Sequence, residues 1–174
     1  KKKENKSSEE LRNSKYNKIF IRKMTAQFRD LLIYNKKEYY INTEPLYDFL
    51  KNNRLEQLFT APNSGLKRGY ISKWFIDNKK LFLIDFEGFI ENKIRVGIQY
   101  LFPDEDFVFA EWFSGVIRAG LGEIVIYKHS GYGSIFEGEI ILNFENGKLI
   151  YESENWLSQE EIEKIIKEDD ELPF

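Results

Sequence analysis

Four times along this chain, two apolar-rich segments are separated by only three or four turn-forming residues, a spacing that favours antiparallel hairpins. Leu31–Tyr34 and Glu38–Ile41 flank Asn35-Lys36-Lys37, and Tyr70–Ile76 and Leu81–Phe86 flank Asp77-Asn78-Lys79-Lys80. Arg95–Phe102 and Phe107–Ile117 flank Pro103-Asp104-Glu105-Asp106, and Phe136–Phe144 and Lys148–Glu152 flank Glu145-Asn146-Gly147. The Asn-Gly pair is the strongest of these signals, because both residues tolerate the positive φ of a tight hairpin turn. A further strand is expected at Glu123–Lys128, after a glycine-bearing corner at Ala119–Gly122. About nine strands in tandem hairpins predict a mainly β (α+β) fold: an antiparallel β-barrel or β-sandwich with one or two peripheral helices.

The clearest helix closes the chain. Ser158-Gln159-Glu160-Glu161 has the S-x-x-E form of a capping box, Ile162, Ile165 and Ile166 form an apolar stripe, and Leu157 is placed to staple onto Ile162. A second helix is expected after Thr43, its cap, with Pro45 in the first turn and Leu46, Phe49 and Leu50 at helical spacing. Residues 59–69 contain Pro, Asn, Ser and two Gly and read as a loop.

With no cysteine to staple it, such a fold depends on buried rings and aliphatics, and fifteen Phe, ten Tyr and three Trp supply them. The length of 174 residues suits one domain. It is expected to occupy 24–174, opening at Met24, behind a basic, flexible extension at 1–23. No run approaches the roughly 20 apolar residues that span a bilayer. The absence of thiols points to the cytoplasm.

Charge is unevenly divided. Residues 1–23 hold nine Lys/Arg against three Glu, whereas the remainder holds 17 basic and 26 acidic residues. An acidic body is the wrong sign for a phosphate-backbone binder, so nucleic acid is not expected as its partner. A thiolate nucleophile and a Cys or Cys/His zinc site are both excluded, and His129 has no second imidazole with which to share a metal. No metal or cofactor is expected.

Several residues nevertheless stand out. In FVFAEWFSGVI (107–117) both faces are apolar, which predicts a central strand, and Glu111 falls in the middle of the Phe-rich face. A carboxylate there needs a partner or a proton: it marks either a polar spot in a cleft or an ion pair with Arg95 or Arg118. Asp85 repeats the pattern after Leu81 and Leu83, and a meander from 81 to 117 would bring Asp85, Gln99 and Glu111 together. Paired carboxylates serve acid–base chemistry, but a slip of one residue in register would separate them. His129-Ser130-Gly131-Tyr132-Gly133-Ser134 joins an imidazole to hydroxyls and glycines, either as a ligand-holding loop around His129 and Tyr132 or as an ordinary turn. Arg68, Tyr70 and Trp74 are residue types of binding hot spots, with Tyr70, Ser72 and Trp74 on one strand face that is either a contact surface or core.

The run MTAQ-x-x-D-x-L-I-Y-N-x-K-x-Y from Met24, then Arg68-Gly69-Tyr70 with Trp74, Trp112-Phe113-Ser114-Gly115 and the His129–Ser134 segment resemble a small bacterial protein family over about residues 24–152. The resemblance implies a domain beginning at Met24 and supplies no activity or catalytic residues.

The functional expectation is a non-catalytic binding protein, of the immunity or inhibitor type, whose acidic surface meets a basic protein partner. The alternative is a small-molecule-binding β-barrel or a carboxylate-based enzyme with its site around Glu111 and His129, drawing polarity from Asp85, Arg95 and Arg118.

Overall fold

The computed structural model describes residues 27–128 and 133–170. His129 and Tyr132, Met24 and the basic extension lie outside them. Among the described residues nine strands and two α-helices follow in the order β1 (Asp30–Tyr34), β2 (Lys37–Ile41), α1 (Tyr47–Asn52), β3 (Tyr70–Asp77), β4 (Lys80–Ile90), β5 (Ile94–Val96), β6 (Val108–Phe109), β7 (Gly115–Ile126), β8 (Ile135–Glu145), β9 (Lys148–Trp156) and α2 (Gln159–Asp170).

Local chemistry builds the hairpins first. Asn35 and Lys36, Asn78 and Lys79, and Asn146 and Gly147 all hold positive φ, the signature of two-residue turns whose twist matches that of the flanking strands. Three of the four expected hairpins form: β1–β2, β3–β4 and β8–β9. The sheet then closes on itself in a ring, β3-β1-β2-β7-β8-β9-β4, with β4 returning to β3 and with β5 and β6 attached to β4. All pairings are antiparallel except β1 with β3, which run parallel. The closure is narrow in two places: Ile41↔Ala119 between β2 and β7, and Lys80↔Lys148 between β4 and β9.

Alternation along the strands fills the interior with Leu32, Ile41, Trp74, Leu81, Leu83, Ile117 and Leu142, all essentially inaccessible to water. Each such aliphatic stabilises the fold by about 1.5–3 kcal/mol relative to exposure. Phe59, Tyr70 and Phe86 extend this core as a ring cluster with centroids 5.3–5.8 Å apart. Leu46 and Leu50 of the α1 region are also buried, and Phe49 meets Phe102 at 4.7 Å and Trp112 at 4.9 Å. The helix is capped by Leu46 without a side-chain bond, not by Thr43, whose hydroxyl instead donates to the Val116 carbonyl at 3.0 Å.

The hairpin expected around residues 103–106 does not form. β5 and β6 both lie on β4, and a 3₁₀ turn at Ile98–Tyr100 interrupts the first arm. The second arm breaks after Phe109, where the Phe113 amide donates to the Ala110 carbonyl at 3.0 Å. Its two apolar faces have another cause than a central strand. Ala110 and Phe113 are buried from a turn, and Trp112 stacks on Phe102 at 5.7 Å while its indole N–H reaches the Pro45 carbonyl at 3.0 Å. The glycine corner does not break a strand either, since β7 runs through 119–122 with shifts of register from Leu121 onward.

Candidate functional site

Arg68, Tyr70 and Trp74 do come together, but inside the molecule and around Asp30, the acidic position of the Met24 motif, to which sequence pattern gave no role. Asp30, at the start of β1, is 0% exposed. One of its oxygens accepts from the Arg68 guanidinium and from the Ser72 amide at 2.9 Å; the other accepts from the Trp74 indole N–H at 3.2 Å. Arg68 also pairs with Glu44 at 3.1 Å, donates through Nε to the Tyr70 carbonyl at 2.8 Å, and lies 5.0 Å from the centre of the Tyr70 ring. Burial pushes the Asp30 carboxyl up to about 6, against the pull of Arg68 and the two donors. Tyr70 and Trp74 are therefore core residues rather than contact residues. The constellation is a polar strut that joins β1, the loop before β3, and β3. The sequence signals were an Asp heading the apolar run Leu31-Leu32-Ile33-Tyr34 and its place, with Arg68, Tyr70 and Trp74, among the motif positions.

The expected convergence of Asp85 with Glu111 is not present. A β-bulge between Lys73 and Trp74 pairs Asp85 with Lys73 but Leu83 with Trp74, so Ile84 has no partner and the alternation reverses beyond it. Leu81 and Leu83 face inward, Phe86 and Gly88 face inward, and Asp85 is turned out, accepting the Phe86 amide at 2.8 Å. Glu111 sits exposed in the turn after β6. Arg95 pairs with Glu87, and Arg118 with Glu139 at 2.7 Å, so the ion pair expected between Glu111 and one of these arginines is replaced by two others.

Arg118 belongs to a different feature. A groove of about 460 Å³ runs between α2 and the β7–β9 sheet, with Phe136, Leu157 and Ile165 on its apolar side and Asn42, Arg118 and Trp156 also lining it. The helix is held as its sequence foretold. Glu161 N–H donates to Ser158 Oγ at 3.3 Å, and the Ser158 amide at 2.8 Å and hydroxyl at 2.9 Å both donate to the Glu161 carboxylate, which keeps that carboxyl below the usual range. Lys128, two residues beyond β7, ties to Asp169 of α2 at 3.2 Å.

The charge of the described chain has a location. Residues 27–128 carry 14 basic and 14 acidic side chains and are neutral overall, whereas residues 133–170 carry three basic and eleven acidic ones. The whole surplus thus falls on β8, β9 and α2. Ile150, Tyr151 and Trp156 of β9 are each more than half exposed amid these acids. The second face of interest was therefore hidden in plain composition: sequence pattern showed an acidic body but not that one hairpin and one helix hold it.

Fold and charge together define a β-rich ring protein whose acidic surplus is concentrated in the C-terminal elements β8, β9 and α2. No family model matches the chain, and no curated protein or solved structure is significantly similar to it. The likeness in the Met24, Arg68–Trp74 and Trp112 motifs therefore carries no further inference. Among the described residues no helix is long and apolar enough to cross a membrane.

Proposed function

We propose that this chain is a non-catalytic binding protein, of the inhibitor or immunity type, that receives a basic protein partner on the face formed by β8, β9 and α2. The observation that carries this reading is the segregation of charge: the described net negative charge lies in residues 133–170, beside exposed Tyr151 and Trp156. Acidic surface of this kind steers a cationic partner and sets its orientation, and exposed aromatics supply contact area at its centre. The carboxylates that suggested acid–base chemistry offer no support for an enzyme, since Asp85 and Glu111 are both solvent-exposed and lie on separate elements.

The test is capture from a lysate of the native organism by the full chain, beside a variant with Glu160, Glu163 and Glu168 each changed to Lys. The reading expects a basic protein held near stoichiometry by the first, released by salt and not held by the second. Equal retention by both would refute it. A small-molecule site is the second reading, and the groove under α2 favours it, because apolar walls with a few polar groups are the usual form of such sites.

A further inference from the structure

β9 has a strand on one side only for most of its length. β4 meets it at the single pair Lys80↔Lys148, and among the described residues no other strand pairs with 150–156 on that side. In an antiparallel ladder, facing residues alternate between pairs that bond to each other and pairs whose main-chain groups point outward. Leu157 N–H donates to the Glu137 carbonyl at 2.8 Å, so 157 and 137 form a bonded pair. The register then makes Asn155/Glu139 and Ser153/Ile141 bonded pairs too, and turns the N–H and C=O of Glu152, Glu154 and Trp156 toward the open edge.

Among the described residues Glu152 and Glu154 therefore each present an amide and a carbonyl with no main-chain partner, and being two apart they set both carboxylates on one face. A cavity of about 310 Å³ lies against this stretch, lined by Tyr34, Asn35, Ile140, Glu152, Ser153 and Glu154. Across it the Tyr34 phenol donates to Glu152. Its own proton is held firmly, the hydroxyl being pushed up to about 12 by burial and by that carboxylate.

Charge decides what can occupy such an edge. A second copy paired antiparallel about Ser153 would set Glu152 against Glu154, and one paired about Glu154 would set that residue against itself; both place like charges opposite each other. An extended segment with cations at alternate positions meets the opposite situation at the same two residues. We propose that β9 is a strand-addition site. An extended basic segment of the partner pairs with the main chain of Glu152 and Glu154 and sets Lys or Arg opposite their carboxylates. This rests on the reading of the C-terminal face as the receiver of a basic partner, and names the element and the binding mode.

The test uses the full chain and a soluble peptide of alternating lysine and valine, measured by calorimetry and by amide hydrogen exchange. Saturating peptide is expected to slow exchange of the Glu152 and Glu154 amides by about tenfold or more. Two changes are each expected to weaken binding by about tenfold, the effect of about 1.4 kcal/mol. One is N-methylation of the peptide amides that would face β9. The other is Glu154→Pro compared with Glu154→Gln, which removes an outward donor but leaves the ladder to β8 intact. Equal binding of methylated and unmethylated peptide would overturn strand addition while leaving the acidic-face reading standing. Absence of peptide binding, with salt-sensitive capture of a basic protein preserved, would also overturn it, and would assign Glu152 and Glu154 to protecting a bare edge. Loss of charge-dependent capture is the separate result that removes the parent reading.

Discussion

Replacing Asp30 by Ala tests whether the strut beneath β1 holds the ring together. The substitution takes the acceptor away from three donors at once: the Arg68 guanidinium, the Ser72 amide at 2.9 Å and the Trp74 indole at 3.2 Å. Breaking a buried ion pair costs about 3–5 kcal/mol, and a neutral donor left buried without a partner about 1–3 kcal/mol. These overlap, and Arg68 keeps Glu44 at 3.1 Å, so the expected loss is about 4 kcal/mol in total. That is a large share of the roughly 5–15 kcal/mol that holds a domain together. At roughly 2–4 °C per kcal/mol for a chain of this size, Tm should fall by about 8–16 °C. Urea unfolding followed by tryptophan fluorescence, with calorimetry beside it, measures both quantities. A loss below about 1 kcal/mol at an unchanged denaturant slope would refute the strut, because no arrangement that orphaned these donors could be so cheap.

The same carboxyl predicts a pH dependence. Asp30 is raised from 3.8 to about 6 in the fold, chiefly by burial, so the native state holds its proton more tightly than the unfolded chain does. The proton-linked part of its contribution, added to that of the strut, is absent above about 6, grows as the pH falls, and is complete below 3.8. Wild type should therefore gain on Asp30→Asn by up to about 1.4 kcal/mol per pH unit across that window, and a constant difference between the two from neutral to acid would refute the assignment. Gly147→Ala should destabilise by at least about 2 kcal/mol, read as a lowered Tm. Gly147 has φ +73 and an added Cβ would sit 2.5 Å from the Ala110 carbonyl oxygen, while its own carbonyl accepts from Leu81 where β4 and β9 meet.

Much of the architecture was legible wherever the controlling forces are local. The turns at 35–36, 78–79 and 146–147 follow from residues that tolerate positive φ between alternating segments, and the Ser158–Glu161 box follows from a hydroxyl and a carboxylate three positions apart. Where an apolar run had no local turn chemistry to interpret it, pattern misled. Residues 107–117 read as a buried strand because Phe109, Ala110, Trp112 and Phe113 are all apolar, yet a turn buries side chains as readily as a strand when other elements cover it. Asp85 was misplaced for a different reason. One bulged residue reverses every side chain beyond it, and no feature of LFLIDFE announces the bulge.

What the amino-acid order decided about this protein is its β-rich class, its hairpin turns, its C-terminal helix and the acidity of its body, since each depends on neighbours within a few positions or on composition alone. Three things waited for the tertiary structure. The parallel pairing of β1 with β3, the meeting of Asp30 with Arg68 across 38 positions, and the open side of β9 all depend on which distant segments become neighbours. The physical reason is common to them. A hydrogen-bonding edge or a charged side chain has the same chemistry in any sequence position, and only closure of the ring determines whether it is buried with a partner or left facing solvent.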